Sequence, residues 1–143
     1  MAFAEQYGPW AVIAGASEGT GREFARYVAA QGVHCVLLAR REAPLNALAD
    51  TLRAQYGVDC VTASVDLSSP DALERIVDTV GPREVGLFVS NAGADPHGSL
   101  FLDRGIDTWI EATNRNIHTL IKSCHHFGAA MRERGRGGLL IVG

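Results

Sequence analysis

No apolar run in this 143-residue chain approaches the ~20 residues that cross a bilayer, which excludes a membrane-spanning helix. The opening "MAFAEQYGPW" lacks the basic start and apolar core of a secretory signal. A basic surplus is also missing: 13 Lys and Arg against 16 Asp and Glu give a formal net charge of -3, leaving no electrostatic footprint for nucleic acid. Basic residues are scattered, apart from Arg40-Arg41 and "RERGRGG" at 132–138. The second stretch reads as a solvated helix end, where cations meet the negative end of the helix dipole, rather than as a nucleic-acid patch. Cysteine is scarce. Cys35, Cys60 and Cys124 are far apart, odd in number and form no C-x-x-C pair, which argues against a disulfide framework or zinc site and fits a reducing cytoplasm. Cys35 and Cys60 sit in apolar runs and read as small buried hydrophobes.

What is present is an ordinary globular composition, 47% apolar and 20% charged, in a length that suits one domain over 1–143. Short apolar runs alternate with helical patterns. "WAVIA" (10–14), "HCVLLA" (34–39), "DCVTAS" (59–64), "VGLFVS" (85–90) and "GLLIV" (138–142) read as strands. A helix is expected from about Thr20 to Gln31, stopped by Gly32; another opens near Pro44 and carries Leu45, Leu48 and Leu52 up to Gly57. Ser68 or Ser69 should cap a third, opened by Pro70. A long helix is expected from about Ile106 to Glu133, with a wide apolar stripe of Ile106, Trp109, Ile110, Ile117, Leu120, Ile121, Cys124 and Phe127. The strands are continuous Val/Ile/Leu runs, so both faces should be buried. Strand–helix alternation with short links means right-handed crossovers and a parallel sheet. The fold class is therefore α/β, a doubly wound, Rossmann-like sheet whose ligands bind beyond the carboxyl ends of the strands.

The stretch "AGASEGTG" (14–21) stands where the first strand hands over to a helix. Gly15 lets the backbone turn sharply, and Gly19 and Gly21 remove side chains where a phosphate and the helix must come close. First-turn helix amides are unpaired and partly positive, a natural seat for a pyrophosphate. The spacing G-x-x-x-G-x-G is not the G-x-G-x-x-G dinucleotide fingerprint, and Thr20 stands where a P-loop from Gly15 would need its second glycine.

That glycine spacing, Asp66 after the third strand and Asn91-Ala92-Gly93 after the fourth occur in the order of the short-chain dehydrogenases/reductases, which the chain resembles from about Tyr7 to Gly143. The opening "YGPWAVIAGASEGTG" is similar to the branch holding 17β-hydroxysteroid and long-chain 3-ketoacyl reductases. The resemblance implies an NADP-dependent oxidoreductase acting on a carbonyl or alcohol, with a cofactor seat at Gly15, Ser17, Glu18, Gly19, Thr20 and Gly21. Ala39 stands where NAD-preferring relatives carry Asp, and Arg40, with Arg41 beside it, matches a 2′-phosphate; NAD is the less favoured cofactor. The alternative is that either arginine only faces solvent, and Glu18 argues mildly against a 2′-phosphate. By resemblance Asp66 meets the adenine amino group with Leu67 beside the ring, the alternative being a helix-side acid. Asn91, Ala92 and Gly93 pass the adenosine ribose, or simply end a strand.

Asn116 follows Trp109 by seven residues, the W-x6-N register at which relatives carry the Asn that holds a relay water. It is the one candidate catalytic residue; Asn114 is off that register. In relatives the helix equivalent to 106–133 also builds a subunit interface, so a homo-oligomer is implied. No metal is expected: adjacent His125 and His126 diverge by about 100° on a helix. His97 lies in the loop that flanks the substrate in relatives, with no role assigned. The family's proton donor is a Tyr-x-x-x-Lys with a preceding Ser. Tyr7, Tyr27 and Tyr56 have no Lys four residues on, and the only lysine is Lys122. The chain is therefore expected to be an N-terminal part of such an enzyme, inactive by itself, with a non-catalytic nucleotide-binding or assembly module as the alternative. A methyltransferase-like domain fits "AGASEGTG" and Arg40 poorly.

Overall fold

The computed structural model describes residues 2–17, 19–91 and 98–142. Among these, β1 (Trp10–Ala14), β2 (His34–Ala39), β3 (Cys60–Ser64), β4 (Val85–Ser90) and β5 (Gly138–Ile141) form one sheet in the order β3-β2-β1-β4-β5. Every neighbouring pair is parallel. The helices are α1 (Phe3–Tyr7), α2 (Gly19–Ala30), α3 (Glu42–Tyr56), α4 (Ala72–Val80), α5 (Ile106–Thr113) and α6 (Thr119–Arg134). A π-helical segment, Asn114–His118, joins α5 to α6 without a break.

The apolar strand runs are explained by their two faces. Successive side chains point to opposite sides. Ala11 and Ile13, Cys35 and Leu37, and Leu87 and Val89 pack with Ala25 and Val28 of α2 and with Leu45, Leu48 and Leu52 of α3. Val12, Ala14, Val36, Leu38 and Phe88 face the other way, onto Ala72, Ile76 and Val80 of α4 and Phe127 and Met131 of α6. The expectation of double burial holds for β1, β2 and β4. It does not hold at the edges: β3 is half-buried beyond Cys60, and Leu139, Leu140 and Ile141 of β5 are exposed, because an edge strand has a neighbour on one side only.

Three further expectations are corrected. The third sequence-read helix begins at Ala72, not Pro70, and neither Ser68 nor Ser69 caps it. Ser68 turns back to Asp66, and the Ser69 hydroxyl is spent on Asp71. The expected helix over 106–133 is α5, the π segment and α6 in series, and its apolar stripe divides: Phe127 is buried, whereas Ile106, Ile110, Ile117 and Ile121 are exposed. Finally, "RERGRGG" is a solvated helix end only in part: Arg132 and Glu133 are exposed, whereas Arg134 and Arg136 are half-buried. Arg134 pairs with Glu84 at 3.2 Å; Arg136 donates from Nη2 to the other Glu84 oxygen at 2.9 Å and from Nη1 to the Gly8 carbonyl at 2.7 Å. These half-buried arginines tie together the chain just before β1, β4 and β5, at the amino edge of the sheet.

Candidate active site

The opposite, carboxyl edge gathers most of the residues singled out in the sequence. β1 ends at Ala14, and Gly15 takes φ 83°, in the left-handed region. The Gly15 and Ala16 amides both donate to the Leu38 carbonyl, at 2.8 and 3.1 Å, so the turn is anchored on the end of β2. Ser17 is half-buried in the turn, and Glu18 lies outside the described residues. Gly19 (φ 59°) opens α2 with Thr20 exposed beside it; among the described residues, a β-carbon at Gly19 would meet nothing within 4 Å apart from its chain neighbours and its own helix backbone. Gly19 therefore serves backbone conformation, and the space beside it is open to a ligand. Gly21 is different. A β-carbon there would fall 1.9 Å from the Gly15 carbonyl oxygen and 2.9 Å from Asn91 Nδ2. The bare backbone at Gly21 is what lets the start of α2 nest onto the turn. α2 thus presents its first-turn amides, which have no intrahelical acceptor, at the end of the central strand.

Asn91 continues β4, and its amide donates to the Ala14 carbonyl at 3.0 Å, so the ends of β1 and β4 are joined beside the glycine turn. Ala92, Gly93 and His97 lie outside the described residues. Arg40 is exposed just past β2, and its carbonyl accepts from Ser64 Oγ at 2.7 Å, which brings the ends of β2 and β3 together. Arg41 occupies the position before α3. Asp66 Oδ1 accepts from the Ser68 amide at 3.0 Å and from Ser68 Oγ at 2.6 Å. These Ser68 bonds, aided by Arg40 and Arg115, outweigh partial burial and hold the Asp66 carboxyl below the usual carboxylate range. Leu67 is buried, and its carbonyl accepts from Thr119 Oγ1 at 2.7 Å, fastening the Asp66 turn to α6.

Asn116 is exposed within the π segment, at a distortion of the kind that often marks functional helices. Among the described residues no hydrogen bond joins Asn116 to the other candidates. Asn114 is instead paired with His118 Nδ1 at 2.9 Å through its Oδ1.

Sequence reading passed over three neighbours of this edge. Arg115 lines a cleft with Ala14, Leu67, Ser90, Thr119 and Ser123. Ser123 is fully buried, and among the described residues its hydroxyl has no hydrogen-bond partner. The signal was available: 115, 119 and 123 are four apart, a polar line on a helix otherwise read for its apolar stripe. Among the described residues no helix is long and apolar enough to cross a membrane, and no cluster of His, Cys, Asp or Glu could hold a metal.

Comparison with known proteins adds an independent line. Residues 9–143 match the family model described as short chain dehydrogenase. The chain is 33% identical to the very-long-chain 3-oxoacyl-CoA reductase of Laccaria bicolor over 144 residues, covering 99% of this chain and 43% of that protein. It is 32% identical to the 7beta-hydroxysteroid dehydrogenase of Collinsella aerofaciens over 142 residues, covering 99% of this chain and 54% of that one. The chain spans about half the length of the curated relatives it matches. Among solved structures, the short-chain dehydrogenase from Sphingobium yanoikuyae in complex with NADPH superposes with a TM-score of 0.86 at 28% identity, covering 95% of this chain and 53% of that one.

Proposed function

Since the chain belongs to the short-chain dehydrogenase family, we propose that its residues form the cofactor-binding part of an NADP-dependent oxidoreductase acting on a carbonyl or alcohol. The observation that carries this reading is the contact between Gly21 and the Gly15 carbonyl, a cradle that any β-carbon would fill. It brings unpaired helix amides to the carboxyl end of the central strand, the arrangement that suits a pyrophosphate. When bound, the nicotinamide supplies or accepts hydride.

The chain's own residues divide the remaining work. The turn from Gly15 to Gly21, with Ser17, Glu18 and Thr20, holds the pyrophosphate. Arg40, with Arg41 beside it, matches the 2′-phosphate, and the NADPH bound by the Sphingobium relative supports NADP over NAD. Asp66, kept ionised by Ser68, is an acceptor for the adenine amino group, with Leu67 beside the ring. Asn91, Ala92 and Gly93 pass the ribose. Asn116 holds a water in a proton relay. The 143 residues hold no tyrosine with lysine four residues on, so residues 1–143 alone should bind cofactor without reducing a carbonyl. Exposed Ile106, Ile110, Ile117 and Ile121 along 106–133 suit a second copy, and three free cysteines suit a cytoplasmic setting.

Titration of the purified chain with NADPH and NADH, read by nicotinamide fluorescence, tests the proposal. Tighter binding of NADPH is expected; equal affinity, or no binding of either, overturns it.

A further inference from the structure

The amino edge of the sheet, at the other end of the strands from the glycine turn, carries a cavity of its own. It lies between the second halves of α4 and α6 and measures about 140 Å³. One wall is apolar, made by Val77, Val80 and Phe127, with Ala130 at the mouth. Val77 is half-buried and Ala130 exposed, so part of this wall faces solvent. Phe127 is held flat by stacking on Phe88, 5.2 Å between ring centroids. The remaining side is basic. Arg83, Arg134 and His126 line it, and among the described residues no carboxylate does.

The nearby acid does not cancel this charge. Glu84 is shared by Arg134, at 3.2 Å, and Arg136, at 2.9 Å, so one carboxylate meets two guanidinia. Arg83 Nη1 donates to the Val80 carbonyl at 3.1 Å, which sets positive charge over the end of α4 that would otherwise repel an anion. The Trp10 ring, 5.0 Å from the Arg83 guanidinium, holds that group in place. A guanidinium has five N–H donors, more than these bonds use. The volume sets the size of an occupant, since roughly 150 Å³ of apolar space holds one benzene-sized ring. An inorganic anion would leave the valines and Phe127 uncovered, and a neutral hydrocarbon would leave the guanidinia without an acceptor. We propose that this cavity binds a small carboxylic acid with a compact, ring-sized apolar body. The body lies against Val77, Val80 and Phe127, and the carboxylate turns to Arg83, Arg134 and His126. The site is separate from the dinucleotide seat and does not depend on that reading.

The test titrates the chain with three probes, followed by amide shifts in NMR: benzoate, benzyl alcohol as its uncharged counterpart, and sulfate as charge without a body. Benzoate should shift the amides of Val77, Gly81, Phe127 and Ala130 saturably, with a dissociation constant on the order of 1 mM, as suits so small a ligand. Benzyl alcohol should bind there about tenfold more weakly, and sulfate should not saturate those shifts. Arg83→Gln should lower benzoate affinity about three- to tenfold and leave benzyl alcohol unchanged. Since Arg83 also covers the end of α4, a second variant is needed that removes no bond. Ala130→Phe fills the mouth from an exposed position and should abolish binding of benzoate while the remaining amide spectrum is kept. Equal affinity for benzoate and benzyl alcohol would overturn the proposal, because the basic side would then recognise nothing. So would sulfate binding as tightly as benzoate, benzoate shifts confined to the glycine turn, unchanged affinity in Ala130→Phe, or no saturable shift at all.

Discussion

A β-carbon on Gly21 would stand 1.9 Å from the carbonyl oxygen of Gly15. No rotamer relieves such a clash, because the backbone alone fixes the β-carbon and the oxygen it meets is itself backbone. Gly21→Ala must push α2 away from the turn, at a cost of roughly 1–3 kcal/mol. A lower Tm and loss of NADPH binding are expected together by thermal melting and titration. Gly19→Ala, where the obstacle is the positive φ and not space, should cost about 1 kcal/mol and leave more of the binding. Equal tolerance of the two substitutions would refute the close-packing account.

Arg40→Ala should reduce NADPH affinity about tenfold or more and leave NADH nearly unchanged, if Arg40 holds the 2′-phosphate as proposed. Fluorescence titration with both nucleotides decides this. Parallel losses would show that Arg40 supports the loop and not the 2′-phosphate.

The Asp66 carboxyl gives a pH signature. Its folded pKa lies below the ordinary carboxylate value of about 4, chiefly through the Ser68 bonds. A depressed folded pKa means stability that is fully present above the unfolded value and is lost as pH falls through the folded one. Ser68→Ala should raise the Asp66 pKa, seen in the carboxyl carbon shift by NMR, and flatten the loss of stability below about pH 4. An unmoved titration would show that Ser68 is not the cause.

Arg136→Ala removes two hydrogen bonds, to Gly8 and Glu84, both remote from the carboxyl edge. Charge-assisted bonds of this kind contribute about 1.5–3 kcal/mol each where buried, and these are only half-buried, so a loss of about 1–3 kcal/mol is expected. Chemical denaturation should report it, with NADPH affinity within twofold of unmutated protein. A large loss of affinity would mean that the two edges of the sheet are coupled.

Alkylation probes the cysteines. Burial pushes the thiols of Cys35, Cys60 and Cys124 up, so little thiolate forms at neutral pH. Iodoacetamide at pH 7.5 should modify half-buried Cys124 slowly and leave the buried Cys35 and Cys60 untouched until denaturant is added, by peptide mass mapping.

The strands β1, β2 and β4 were legible to the residue because Val/Ile/Leu runs between glycines and polar turns have one economical reading, a strand buried on both faces. The glycine turn was legible for a similar reason: Gly15, Gly19 and Gly21 mark where conformation or close approach excludes a side chain. What escaped depends on partners far away in sequence. α1 is only five residues long and has no strong signal of its own; Phe3 and Tyr7 hold it by packing against the core. Ser68 and Ser69 have the chemistry of helix caps, yet Asp66 and Asp71 compete for their hydroxyls and win. The π segment keeps a helical apolar period while changing only the backbone bonding, so no residue pattern announces it. Arg134 and Arg136 look like solvent-facing charge until Glu84 is brought beside them. Arg115 carries no motif of its own, standing beside the W-x6-N register residue Asn116.

The bond from Arg136 to Gly8 closes a chain segment of 128 residues. Ordering so long a loop is entropically costly before any contact repays it, and such contacts form late. The clasp is therefore expected to close after β1 and β4 have paired. Its loss should leave the folding rate nearly intact and hasten unfolding. In that sense the arginines at the amino edge bear on how long the fold should last, and the glycines at the carboxyl edge on how closely its turn can pack.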